Sequence, residues 1–398
     1  MKSRVYITVV FWISLAVTNG LGALGQSLAD SSTTTKKTPL GLTVRADGVL
    51  LHENQPFRGI GVNYFNAFGR HLANPQDTSY REGFQELAKR KIPFVRLVGC
   101  GFWPADQKLY QENPEEFFRR FDDMVKSAEE FQIGLIPSLF WTPATVPDLV
   151  GEPLDQWGNT ESKTQEYMRR YVHDVVTRYR NSPAIWGWEF GNEYNLAADL
   201  PSAAENRPAI VPNMGTPTTR SSRDDLTYAF IRTAFIAFAQ EVRKYDATRM
   251  ISTGNSAPRD SAWHNWKEKT WTVDTPEQFA EMLRDDNPDP ASIVSIHSYV
   301  PVPSNFIPNT VELCRRFKKP LFIGEFGAGE ITNEREQFLK LLAEIETAQV
   351  PLAALWVFDF IWQDTTYNIT TTNARSYQLE AIAEANVRIR KALAAETK

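Results

Sequence analysis

The sequence predicts an α/β fold, a (β/α)8 or TIM barrel with a short N-terminal β-hairpin, and three observations carry that prediction. Apolar runs of about six residues recur along the chain, each followed by a loop and an amphipathic helical stretch, the pattern of parallel βα units. Eight such runs can be placed between residues 58 and 357. No linker divides the 398 residues, and 42% hydrophobic content is enough for one large core, although length alone would also allow two modest domains.

In chain order, Lys2 and Arg4 precede an apolar stretch over 5–17 and then small residues through Ala23-Leu24-Gly25. This reads as a signal peptide over 1–25, cleaved near Gln26. The apolar core is shorter than the roughly 20 residues of a stable span, which favours a secreted or periplasmic protein over an anchored one. The polar stretch 26–40 is expected to be a disordered lead-in, and 41–398 a single domain. Alternation around Ala46-Asp47-Gly48 and Glu53-Asn54 predicts the hairpin. Strands follow over 58–63, 94–98, 134–140, 185–190, 250–253, 293–297, 321–324 and 353–357. Helices are expected over 80–90, 114–131, 162–179, 224–245, 276–285, 310–317, 333–348 and 376–395. The long polar segment 197–223 falls inside a βα connection, where barrel enzymes carry insertions around their sites.

Composition narrows the function. A net charge of −5 with no Lys/Arg-rich block argues against a nucleic-acid partner. The 11 tryptophans and 12% aromatic content fit a protein that stacks on sugar faces, although tryptophan also fills cores. Cys100 and Cys314 would lie on opposite sides of a barrel, so they are expected as unpaired buried thiols, and two are too few for a Cys-ligated metal site. Asn368-Ile369-Thr370 is a glycosylation sequon that fits a surface loop. A monomer, free of the membrane once the signal is removed, is expected.

Barrel chemistry sits at the carboxyl ends of the strands. There the sequence places Arg96 on strand two, Asn192 and Glu193 on strand four, His297 and Tyr299 on strand six, Glu325 on strand seven and Trp356 on strand eight. Two carboxylates on different strands facing one mouth suit glycoside hydrolysis, in which one attacks the anomeric carbon and the other protonates the leaving oxygen. Arg96 and Tyr299 would keep a nucleophile ionised, and burial beside a second carboxylate would raise the pKa of the acid. The bland readings stay open: a rim carboxylate bound structurally for either acid, and a satisfied core histidine for His297. Glu189, deeper in "WGWEFGNEYN", is expected to be a structural carboxylate.

The set "GVN", "FVRL", "WEFGNE", "IHSY", "FIGEFG" and "LWVFD", in that order, resembles the clan of (β/α)8 retaining glycosidases, most closely glycoside hydrolase family 5, the cellulase and mannanase family. The resemblance covers nearly the whole chain beyond the signal. It implies that 41–398 is a catalytic domain with Glu193 as acid/base, Glu325 as nucleophile and Asn192 on the sugar 2-hydroxyl. It implies further that Arg96 and Tyr299 steady Glu325, that His297 binds near the acid/base, and that Trp356 forms the platform under the sugar. No metal or organic cofactor is implied. Two departures are visible: Tyr194 stands where members often have proline, and "SLFWTP" lacks a polar residue often found after strand three, where Trp141 would stack instead. "WTPATVPDL" is also faintly similar to the galactosidase branch of the clan. Trp103, Trp157, Trp263, Trp266 and Trp362 are loop tryptophans, and Trp103 and Trp157 lead as sugar-stacking candidates. The expected activity is retaining hydrolysis of a β-linked glycan, as an endo-β-1,4-mannanase or β-1,4-glucanase. The alternatives are a catalytically silent carbohydrate-binding protein, or a transglycosidase on the same site.

Overall fold

A computed structural model describes residues 38–396. The expected signal peptide lies outside them, as does the lead-in up to residue 37; Thr38 to Leu40 have no regular secondary structure. A small antiparallel sheet comes first, formed by β1 (Leu42–Val44), β2 (Leu50–His52) and β3 (Gln55–Pro56), one strand more than the predicted hairpin. Eight parallel strands then form the barrel: β4 (Gly59–Asn63), β5 (Phe94–Val98), β6 (Gly134–Ser138), β7 (Gly187–Glu189), β8 (Met250–Ser252), β9 (Val294–Tyr299), β10 (Leu321–Gly327) and β11 (Leu352–Leu355). Their order is β8-β7-β6-β5-β4-β11-β10-β9. The ends of that order meet where Ser292 N–H donates to the Ile251 carbonyl at 3.0 Å. Every barrel-strand residue is buried except Tyr299, which is half-buried at the mouth. Strands covered on both faces need no alternation, which is why the sequence shows continuous apolar runs.

The outer helices are Tyr80–Lys89, Pro114–Phe131, Lys163–Tyr179, Tyr228–Tyr245, Pro276–Asp285, Phe306–Phe317, Glu334–Thr347 and Tyr377–Glu396. Several start where a side chain satisfies an orphan N–H. Asn113 accepts from Glu116 N at 3.1 Å ahead of Pro114, and Thr275 and Gln278 form a reciprocal capping box. Thr227 caps the helix predicted from 224, which therefore begins at Tyr228; Ser221 and Asp224 close a separate 3-10 turn before it. Four short helices within βα connections, Ala67–Ala73, Pro104–Glu112, Thr145–Val150 and Ala262–Glu268, are not predicted. They are too short for a helical period to stand out.

The small sheet closes the amino-terminal end of the barrel. Leu42 N–H donates to the Trp186 carbonyl at 2.8 Å, and Leu42 and Leu50 pack with Phe94, Trp186, Met250 and Phe322 in a cluster of their own. At the opposite end, the segment 197–223 is tied down by Arg220, which makes a two-pronged pair with Asp148 at 2.6 and 2.8 Å. Both side chains are buried. Cys100 and Cys314 are free and buried, and burial pushes both thiols up to about 12.

Candidate active site

Arg96, in the middle of β5, is wholly buried and organises the mouth. Its Nε donates to Glu189 Oε1 at 2.7 Å, Nη1 to Glu325 Oε1 at 2.8 Å and to Asn63 Oδ1 at 3.1 Å, and Nη2 to Asn192 Oδ1 at 2.8 Å. Its guanidinium carbon lies 4.6 Å from the centre of the Trp141 ring. Burial alone would lower its pKa, but Glu189 and Glu325 raise it overall, so the group stays charged. The second oxygen of Glu325 accepts from the Tyr299 hydroxyl at 2.5 Å. Burial and the Glu325 charge push the phenol of Tyr299 well above its usual range, which keeps it a donor. Glu189 is unexposed and also accepts from Ser252 Oγ at 3.0 Å, the place of a carboxylate bound into the structure.

Glu193 lies four residues beyond the end of β7, with its side chain 31% exposed to the mouth. His297 Nδ1 is 2.8 Å from Glu193 Oε1 and 3.5 Å from Glu325 Oε2. His297 Nε2 is buried with no hydrogen-bond partner. A buried N–H without an acceptor is costly, so a ring proton is favoured on Nδ1, where it points at Glu193. One oxygen of Glu193, one of Glu325 and a His297 nitrogen lie within 4.8 Å of one another. For Glu193 the direction is opposite to the raised pKa expected from the sequence. Burial does push the carboxyl up, but the His297 hydrogen bond and charge, with Arg96 and Ser256, outweigh it and hold Glu193 below its ordinary range. Among the described residues, Glu193, His297 and Glu325 have donor atoms close enough to share a cation. Both Glu325 oxygens already face donors, one of them cationic, which opposes a metal there.

The model of the cellulase family, glycosyl hydrolase family 5, matches residues 52–359, a span that contains every barrel strand. The chain belongs to this family. Over 81 residues it is 38% identical to mannan endo-1,4-beta-mannosidase A of Podospora anserina, covering 19% of this chain and 21% of that protein. Over 79 residues it is 39% identical to a protein of the same name from Hypocrea jecorina, covering 18% of each. The chain thus matches about a fifth of the length of these curated relatives. The endo-1,4-beta-mannanase from Rhizomucor miehei has the same fold, with a TM-score of 0.63 over 88% of this chain and 99% of that one at 14% identity.

For this family member the aromatic surroundings divide sharply. Trp356, just past β11, stacks near Trp141 with centroids 6.3 Å apart, and Phe65 meets both rings edge-on. Trp103 lines a neighbouring cavity of about 680 Å³ with Phe65, Phe102, Phe360 and the exposed Trp362. Trp157 is a correction. Its ring is fully buried against Phe140 and Phe190 and its Nε1 donates to the Pro143 carbonyl at 2.8 Å, so no sugar can stack on it. Asn368 is a second correction, because its side chain is buried, with Oδ1 accepting from Phe360 N at 2.7 Å and Nδ2 donating to Asp364 at 3.0 Å. The amide a glycan would need is committed to the loop. Tyr194, in the place of the proline, sinks into the core and donates to the Phe140 carbonyl at 2.7 Å.

Three contributors are not among the predicted site residues. Asn63 links Arg96 to the Gly324 and Ala354 carbonyls, and its place at the end of "GVN" is a signal that could have found it. Gln363 accepts the Trp356 indole N–H at 2.7 Å, and Ser256 helps hold the Glu193 carboxyl below its ordinary range. Both lie on loops whose course the sequence pattern does not reveal.

Proposed function

We propose that the chain is an exported, retaining glycoside hydrolase that cleaves β-1,4-linked mannan by double displacement. The observation that carries this reading is the pair of carboxylates, Glu193 and Glu325, with oxygens within 4.8 Å. Retention goes with carboxyl groups about 5 to 5.5 Å apart, whereas inversion needs about 6.5 to 9.5 Å to admit a water between them. The N-terminal signal reading supports export, and no helix among the described residues is long and apolar enough to cross a membrane. Mannan is preferred over glucan because the curated relatives are named as mannan endo-1,4-beta-mannosidases. Those names also support endo action.

In the first step Glu325 attacks the anomeric carbon, the bond to the leaving oxygen breaks, and Glu193 gives that oxygen its proton. Arg96 and Tyr299 hold Glu325 ionised for the attack. In the second step Glu193 takes a proton from water, the water oxygen bonds to the anomeric carbon, and Glu325 leaves, restoring the original configuration. Arg96 fixes Asn192 through its oxygen, which turns the amide nitrogen toward a sugar 2-hydroxyl. Trp356, held by Gln363, supplies the platform under the ring.

Reducing-sugar release across linear mannan, soluble glucan, xylan and aryl glycosides tests substrate and catalysis together. Mannan is expected to be cleaved best, and Glu325→Ala to lower the rate by about 1,000-fold or more. Undiminished hydrolysis by Glu325→Ala would remove the nucleophile assignment, and a preference for glucan would overturn the substrate.

A further inference from the structure

We propose that Asn195 is a positioning residue for Glu193, clamping the loop that carries the acid/base to the loop after β8 and to the buried carboxylate of Asp286. This rests on the acid/base reading of Glu193 given above. Glu193 has left-handed backbone angles, φ 53° and ψ 29°, which a non-glycine residue keeps only where its surroundings hold it. Backbone contact supplies part of the hold. Glu193 N–H donates to the Gly254 carbonyl at 3.0 Å. Gly254 has φ +73°, and a Cβ there would fall 1.9 Å from the Gly191 carbonyl oxygen, so the two loops touch backbone to backbone.

Asn195, two residues beyond Glu193, supplies the rest. It is 1% exposed. Its Nδ2 donates to the Ser256 carbonyl and to Asp286 Oδ2, both at 2.9 Å, and its Oδ1 accepts from Ser256 N–H at 3.2 Å. Its backbone is held as well, with the carbonyl accepting from Arg259 Nη1 at 2.7 Å. The clamp therefore grips Ser256 on both sides of its residue, and Ser256 is among the groups that hold the Glu193 carboxyl below its ordinary range. Asp286 is a firm anchor because it is unexposed and its backbone carbonyl accepts from Asn255 Nδ2 at 2.9 Å. One side chain thus ties the backbone just beyond the acid to the loop after β8 and to Asp286.

Proton donation matters most when the leaving group is a poor one, so a displaced acid shows itself as a leaving-group effect. The test uses the full chain as wild type, Glu193→Ala, Asn195→Ala and Asp286→Asn. For each, kcat/KM is measured on an unactivated β-1,4-mannooligosaccharide and on the dinitrophenyl glycoside of mannose, whose phenolate leaves without a proton. The ratio of the two, taken on one preparation, cancels any loss of folded enzyme. Glu193→Ala is expected to lose about 100- to 10,000-fold on the oligosaccharide and little on the dinitrophenyl glycoside. Asn195→Ala is expected to lose roughly 10- to 100-fold on the oligosaccharide and less than about threefold on the activated substrate. Asp286→Asn keeps an oxygen acceptor for Asn195 and is expected to hold the wild-type ratio. An Asn195→Ala ratio equal to wild type, with or without a fall in melting temperature, overturns the clamp while leaving the acid/base reading intact. A Glu193→Ala enzyme without the asymmetry overturns the acid/base reading, and the clamp with it.

Discussion

Arg96 joins groups delivered by three strands and the loop beyond one of them: Asn63 from β4, Glu189 from β7, Glu325 from β10, and Asn192 just past β7. It is unexposed, so its charge is compensated only by those partners. Arg96→Met is expected to destabilise the fold by about 3–5 kcal/mol in guanidinium unfolding, because Glu189 and Glu325 lose their cation while staying buried. An unfolding midpoint matching wild type would contradict that account. His297 acts on the pH profile instead. An acid catalyst works only while protonated, and the protonated fraction of Glu193 falls as pH rises through its pKa. Burial raises that pKa, but His297, Arg96 and Ser256 lower it further, so kcat/KM is expected to decline on the alkaline side from an acid-shifted limb. His297→Ala removes the strongest lowering contact and should move the limb to higher pH; a limb that stays in place would contradict the assignment. At this scale the convergence of Arg96, Glu325 and Tyr299 was legible because each lies in or just after an apolar run that reads as a barrel strand, although only Tyr299 ends its strand. Trp157 was misread because a tryptophan after a strand looks alike in sequence whether its ring turns to the mouth or to the core.

The elements divide labour between the two ends of the barrel. Strand positions were readable from their apolar runs, but their ends were not. β10 runs three residues beyond the predicted limit of 324 and carries Glu325 inside it, and β7 keeps only Gly187–Glu189 of the predicted 185–190. Hydrogen bonding, which the composition of a run does not encode, sets those limits: Ile185 makes only an isolated bridge to Leu135. The sheet at the closed end should matter for stability alone. Leu42→Ala is expected to cost about 2–5 kcal/mol with kcat unchanged, since its side chain is fully buried at the end remote from the carboxylates. A matched loss of kcat in the still-folded variant would contradict this separation. On the mouth side, Arg220→Ala leaves Asp148 buried without its cation, and burial already raises its pKa. The segment 197–223 should then be cut by protease well before the barrel, and equal cleavage rates in wild type and variant would show that the pair does not secure it.

Across the whole molecule, eight parallel strands bring residues more than 100 positions apart to one rim, and the separation in sequence conceals how close they are. Glu193 and Glu325 sit in different motifs, yet the ring places their oxygens within 4.8 Å. Motif spacing along the chain could suggest that convergence but could not measure it. That short separation is the ground for proposing retention, since inversion goes with carboxyl groups about 6.5 to 9.5 Å apart. The most direct test is proton NMR of the first product released from a β-1,4-mannooligosaccharide, recorded before mutarotation. The β anomer is expected to appear first and the α anomer to grow in later; initial release of the α anomer would contradict the double-displacement account.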